Sequence, residues 1–248
     1  MDATKNEISV NENKITTGSK ILDIMLDDGY EKDTITTIYG PSGSGKTVLA
    51  ILCAINVARS DKKILYIDTE GGFSVERVKQ ICSHIHLNYE KILEKFVLMK
   101  PTNFEEQKKS FEKLKDNIND KIGLIVIDSI AMLYRLEMGK TEDVYEVNRE
   151  LGKQIGDLTE IARKNSIPIL ITNQVYADFD NKDNVHIVGG DILKYGSKCL
   201  IELQITPNGN RRLILRKHRS IAEEKELLFK IVDGGIIGTK ESKGFKLF

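Results

Sequence analysis

Tryptophan is absent from this chain and cysteine is scarce: Cys53, Cys82 and Cys199 lie far apart in 248 residues. An odd count without C-x-x-C spacing indicates neither a disulfide framework nor a zinc cluster, and it fits a reducing cytoplasm. No apolar run approaches the roughly 20 residues of a membrane span, so no membrane role is expected. The opening stretch MDATKNEISVNEN is polar and partly acidic, unlike a signal or transit peptide, and residues 1–13 read as a mobile tail. Excess charge is lacking too, because 37 Lys and Arg balance 37 Asp and Glu. A nucleic-acid partner is therefore not announced by global charge, and any basic footprint must be local.

What is present suits a soluble folded protein: 40% apolar and 30% charged residues, in a chain long enough for one large domain. Residues 14–248 show no linker, repeat or low-complexity segment and read as that single domain. Apolar strand cores at Thr34–Tyr39, 63–68, 95–99, 123–128 and 167–172 alternate with helical patterns at 46–58, 74–82, 104–118 and 144–164. That alternation predicts an α/β fold with a mostly parallel, twisted sheet covered by helices. The last third changes style. CLIELQIT, PNGN and RRLILRK read as a hairpin, and ELLFKIVDGGII as one further strand, so antiparallel strands are expected on the C-terminal side.

Gly40, Pro41, Ser42, Gly43, Ser44, Gly45, Lys46 and Thr47 match G-x-x-x-x-G-K-[ST] without a mismatch. The segment lies between a predicted strand and a predicted helix, the context in which such a loop cradles phosphates. Glycines let backbone N–H groups turn toward the anion, and the helix N-terminus adds its positive end. Lys46 is expected to reach the β- and γ-phosphates of ATP, and Thr47 to offer its hydroxyl to Mg²⁺. Asp128 ends the strand LIVID at the carboxyl edge of the sheet, placed to hold Mg²⁺ through water. Asp68 and Glu70 end a neighbouring strand, where a carboxylate can orient water for attack on the γ-phosphate. Asn173 and Gln174 follow a third strand, where a glutamine can sense that phosphate.

The set ITTGSKILD, IYGPSGSGKT, YIDTEGGFSVER, LIVIDSIAMLYR, ITNQV and VGGDILKYGS resembles the RecA/RadA recombinase family over about residues 14 to 238. The resemblance implies a RecA-type P-loop ATPase core, DNA binding and a role in recombinational DNA repair. It places Glu70 on the catalytic glutamate, Asp128 on the Mg²⁺ aspartate, Gln174 on the γ-phosphate sensor and Arg77 on the arginine that stacks on adenine. The chain departs from strand-exchange enzymes in three ways. The core begins almost at once, and the first phenylalanine is Phe73, so the Phe-x-x-Ala segment that joins neighbouring subunits is missing. The two DNA-binding loops of the family fall on Leu136–Val147 and Tyr176–Val188. They carry Glu137, Glu142, Asp143, Glu146, Asp178, Asp180 and Asp183 against Lys140 and Lys182, an arrangement that repels a phosphate backbone. These departures resemble an accessory archaeal branch of the family. It implies weak ATP hydrolysis, no strand exchange, and binding of single-stranded or branched DNA. It also implies a homo-oligomer and, as protein partners, a Holliday-junction resolvase or a RadA-type recombinase.

RRLILRKHR (211–219) is the clearest local positive patch. Lys217 and Arg219 suit a trans-acting finger on a neighbour's ATP, a DNA contact, or a charged edge strand that resists aggregation; these readings stand side by side. The spacing Lys-His-Arg is also similar to the finger of KaiC-type relatives, so a signalling ATPase acting on protein partners is the alternative function. A small-molecule kinase fits less well, because the long loops are acidic where a kinase lid is rich in arginine.

Overall fold

The computed structural model describes residues 13–140, 142–177 and 185–239. The expected Tyr176–Val188 loop is therefore described only at its two ends, and Asp178, Asp180, Lys182 and Asp183 lie outside the described residues.

The elements run in the order β1 (Lys14–Ile15), α1 (Lys20–Met25), β2 (Tyr30–Glu31), β3 (Ile35–Tyr39), α2 (Lys46–Arg59), β4 (Lys63–Asp68), α3 (Val75–His84) and α4 (Tyr89–Leu93). They continue as β5 (Phe96–Met99), α5 (Phe104–Asp116), β6 (Ile122–Asp128), α6 (Met132–Met138), α7 (Val144–Asn165), β7 (Ile169–Asn173), β8 (Val175–Ala177), β9 (Val185–Ile187) and α8 (Gly190–Gly196). The last described elements are β10 (Cys199–Ile205), β11 (Arg211–Lys217), β12 (Lys225–Val232) and β13 (Gly235–Gly238).

Among the described residues, nine strands form one sheet in the order β13-β12-β11-β10-β3-β7-β6-β4-β5. β10, β3, β7, β6, β4 and β5 are mutually parallel, while β11, β12 and β13 add antiparallel on one side. The period-2 alternation of side chains divides each parallel strand between two cores. Ile64, Tyr66, Leu124, Val126 and Leu170 face the core under α2 and α3. Leu65, Ile67, Ile125, Ile127, Ile169 and Ile171 face the core under α5 and α7. Burying each such Leu, Ile or Val contributes roughly 1.5–3 kcal/mol relative to leaving it exposed.

Local sequence sets the helices. In α2, residues Leu49–Ile55 are buried on every side, as its nearly continuous apolar run requires. Helix α7 buries Val147, Leu151, Gln154, Ile155, Leu158, Ile161 and Ala162, a 3–4 spacing that lays one stripe on the sheet. Side chains of Ser74, Asn103 and Asp143 accept the first free backbone N–H groups of α3, α5 and α7.

Three sequence expectations need correction. RRLILRK is not an edge strand, since β11 is hydrogen-bonded to β10 and β12 along both sides. ELLFKIVDGGII is two strands, because Asp233 and Gly234 turn β12 back onto β13. The Leu136–Val147 segment is helical at both ends: α6, which was not expected, runs to Met138, and α7 starts at Val144 as the pattern at 144–164 predicts, so the connection is residues 139–143.

Candidate functional site

Because β3, β4, β6 and β7 are parallel, their last residues share one edge of the sheet. Tyr39, Asp68, Asp128 and Asn173 stand there, and the phosphate loop leaves β3 to enter α2. The loop needs its glycines for stated reasons. Gly45 has φ 105°, a left-handed conformation that L side chains avoid, and a Cβ there would come within 2.9 Å of Ile231 Cδ1. A Cβ on Gly40 would stand 2.3 Å from the Leu203 carbonyl oxygen on β10.

Lys46 is 7% exposed, and its Nζ donates to the carbonyl oxygens of Gly40 and Pro41, both at 2.9 Å. Burial pulls its pKa below the ordinary lysine value, and the charges of Glu70 and Asp128 partly restore it. Asp128 is 2% exposed. Tyr66 of β4 donates its hydroxyl to Asp128 Oδ2 at 2.8 Å, and Thr172 of β7 donates to Oδ1. Burial pushes the carboxyl upward, while hydrogen bonds from Thr172, Tyr66 and Thr47 oppose that rise. Two flanking strands thus orient the carboxylate, and the Thr47 hydroxyl meets it across the site.

Asp68 takes a different part from Glu70. Its two oxygens accept the backbone N–H groups of Gly72 at 3.0 Å and Phe73 at 3.1 Å, closing the turn after β4. Thr69 is tied to Ser129 through both its hydroxyl donor and its hydroxyl acceptor. Between these anchors Glu70 is exposed and lines a cavity of about 460 Å³ with Ser42, Gly43, Lys46, Thr47, Arg77 and Arg211. Gly72 keeps the space beside it open, since a Cβ there would stand 3.3 Å from Thr47 Oγ1 and 3.8 Å from Asp128 Oδ2. A hydroxyl, a carboxylate and an open recess between them fit a hard divalent cation such as Mg²⁺.

Arg77 borders this cavity and an adjoining one of about 320 Å³ walled by Val48, Ile51, Gly72 and Gln80. Its Nη1 donates to the Val232 carbonyl oxygen at the end of β12, 3.2 Å away. Gln174 is half-buried and does not line either cavity. Its neighbour Asn173 is fully buried. It receives the Gln174 N–H and donates to the Val188 carbonyl oxygen at 2.6 Å, holding the two ends of the loop after β7 together.

The basic strand resolves residue by residue. Arg211 reaches the phosphate loop, where its Nη2 donates to the Gly43 carbonyl oxygen at 3.2 Å. Arg216 pairs with Glu202 at 2.7 Å and Glu224 at 2.8 Å. Lys217 donates to the carbonyl oxygens of Lys194 and Ser197, at 2.7 and 2.8 Å, at the end of α8. Arg219 binds Asp33 through two nitrogens, at 2.9 and 2.8 Å, and the buried Glu31 at 2.8 Å. Lys217 and Arg219 are thus held within the chain, far along the strand from the phosphate loop. Sequence reasoning missed Arg211 as a site residue. Its signal was parity, since Arg211, Leu213 and Leu215 share one strand face and the two leucines enter the core beneath α2.

A phosphate loop joined to a strand-end Asp128, with Glu70 across the cavity and antiparallel strands beside a parallel sheet, defines an ATPase core of the RecA type. A family model described as Rad51 matches residues 10–239. The DNA repair and recombination protein RadB of Methanobrevibacter smithii is 44% identical over 230 residues, covering 90% of this chain and 95% of that protein. The RadB protein of Methanococcus maripaludis strain C7 is 42% identical over 217 residues, covering 87% and 97%. A crystal structure titled as that of the RadB recombinase superposes with a TM-score of 0.78 at 35% identity, covering 91% of this chain and all of the other. The chain belongs to the Rad51 family, within its RadB branch.

Proposed function

We propose that this chain is an ATP- and DNA-binding accessory ATPase of recombinational repair that hydrolyses ATP slowly and does not itself exchange strands. The observation that carries the reading is the meeting of Lys46, Thr47 and Glu70 around one cavity at the carboxyl edge of the sheet, with the buried Asp128 hydrogen-bonded to Thr47. RadB proteins are named for DNA repair and recombination, which supports the cellular setting. Residues 14–248 act as one ATPase core in this reading.

Each residue has a separate task. Backbone N–H groups of Gly43–Thr47 receive the phosphates at the N-terminus of α2. Lys46 exchanges its two loop carbonyls for phosphate oxygens, and its charge is kept by Glu70 and Asp128 nearby. Thr47 and Asp128 would hold Mg²⁺, which when bound neutralises phosphate charge. Glu70, solvent-exposed and beside the loop, orients the attacking water. Arg77 packs against the base at the second cavity. Slow turnover is supported by the placement of Gln174 outside the lining of the cavity that Lys46, Thr47 and Glu70 share.

The test pairs nucleotide and DNA binding. Wild-type protein is expected to bind a fluorescent ATP analogue, and Lys46→Ala to lose it. Filter binding at low salt is expected to retain single-stranded or branched DNA. No retention at any low salt, together with hexamers by mass measurement, would favour a signalling ATPase instead.

A further inference from the structure

The recess of about 320 Å³ beside the phosphate loop is formed between two helices. Val48 and Ile51 of α2 line it on one side, and Ser74, Glu76, Arg77 and Gln80 of α3 and its cap on the other. Ile51 is buried and Val48 stands one turn before it, so α2 offers an apolar wall of the kind against which a flat heterocycle packs. Arg77 lines both this recess and the cavity that holds the phosphate loop, whereas Gln80 lines the recess alone.

A base held there presents hydrogen-bonding atoms along its edge, and three polar side chains besides Arg77 stand on the α3 side to meet them. Ser74 is occupied, since its Oγ accepts the Arg77 backbone N–H at 3.2 Å as the cap of α3. Glu76 is paired with Lys79 at 3.8 Å on an exposed helix face. Gln80 is half-buried, and its carboxamide has no hydrogen-bond partner among the described residues. It follows Arg77 by three positions, which puts both side chains on one face of α3. A carboxamide carries an acceptor and a donor side by side. Adenine presents the complementary pair, its 6-amino group beside a ring nitrogen.

Resting on the reading that Arg77 packs against the base, we infer that Gln80 is the residue that recognises adenine. Its Oε1 accepts from the 6-amino group, and its Nε2 donates to the adjacent ring nitrogen. Stacking on Arg77 is open to any base, because every base has a π-face. Gln80 adds the match along the base edge that stacking does not provide.

Gln80→Leu keeps a good helix former of similar volume while removing both hydrogen-bonding atoms, and a melting curve checks that it folds. Titration calorimetry with Mg²⁺ present then compares three probes. They are ATP, purine riboside triphosphate (hydrogen in place of the 6-amino group) and inorganic triphosphate, which has no base. Wild type is expected to bind ATP about fivefold more tightly than the purine analogue, the worth of one net hydrogen bond. Gln80→Leu is expected to bind ATP about tenfold more weakly than wild type does, and to bind ATP and the analogue alike. If the variant keeps the wild-type difference between ATP and the analogue, or if wild type shows no such difference, the inference is overturned. The base reading stands in both cases as long as ATP binds more tightly than inorganic triphosphate. If wild type binds ATP no more tightly than inorganic triphosphate, the recess holds no base, and that reading falls and the inference with it.

Discussion

Arg211 on β11 donates to the Gly43 carbonyl oxygen at 3.2 Å, which fastens the antiparallel side of the sheet to the tip of the phosphate loop. Its Nε is buried without a hydrogen-bond partner, so one donor beside the nucleotide cavity is unspent. A phosphate oxygen satisfies such a donor better than any neutral group, because guanidinium–phosphate hydrogen bonds are charge-assisted. Arg211→Ala is therefore expected to weaken ATP binding about tenfold in titration calorimetry, with Arg211→Lys recovering part of the loss. Unchanged affinity in Arg211→Ala would reduce Arg211 to a loop tether.

Asp128 links stability to the site's chemistry. Its folded-state pKa is raised, burial being the largest cause. In the window between the ordinary carboxylate value and the raised one, the folded state binds more protons than the unfolded state. Stability therefore falls as pH rises through that window, and above it the ionised carboxylate is a standing cost to the nucleotide-free protein. Asp128→Asn removes that charge, and the Tyr66 or Thr172 hydroxyl can turn to accept from the new amide. In thermal melts at neutral pH without Mg²⁺, the variant is expected to melt at or above the wild-type temperature and to show a flatter pH dependence. Adding MgATP should raise the wild-type melting temperature and leave the variant's nearly where it was.

Arg219 separates a structural role from a working one. Its guanidinium is the partner of Glu31, whose side chain is 6% exposed, and of the more exposed Asp33. Pairing draws Asp33 below the usual carboxylate range, with the Arg219 hydrogen bond as the first cause. Removing Arg219 strands the Glu31 charge in a dry place, a change that costs about 3–5 kcal/mol when fully buried and less where solvent reaches one partner. Arg219→Ala is expected to cost about 1–3 kcal/mol in urea denaturation. Glu31→Gln made together with it should recover part of that loss. A finger or DNA contact alone would leave the urea midpoint in place.

The parallel core was legible because its signals are local. Glycine spacing in Gly40–Thr47 and the apolar run ending in Asp128 each lie within a few residues, and each lands where its pattern pointed. What was illegible depends on strand neighbours. RRLILRK looks like an edge by its charges, yet those charges are answered by acids from β10, β12 and the segments around β2, which no window on the strand contains. Asp68 and Glu70 looked equivalent two residues apart. The turn after β4 consumes Asp68 in backbone hydrogen bonds and leaves Glu70 at the cavity. Arg211 was visible only as charge, since its contact crosses 168 positions of chain.

Gly72 gives the sharpest test of the cation recess, because its φ is not in the left-handed region and alanine there is a question of space alone. A Cβ would stand 3.3 Å from Thr47 Oγ1, tighter than an ordinary contact, and 3.8 Å from Asp128 Oδ2. It would occupy the opening between the two oxygens without adding charge or removing a donor. Gly72→Ala is accordingly expected to fold with the wild-type melting temperature. In calorimetry it should lose most of the gain that Mg²⁺ gives to nucleotide affinity, while binding in EDTA changes little. A variant that loses affinity equally with and without Mg²⁺ would place the damage in the phosphate loop or the base recess, and Thr47 and Asp128 would no longer be the cation's holders.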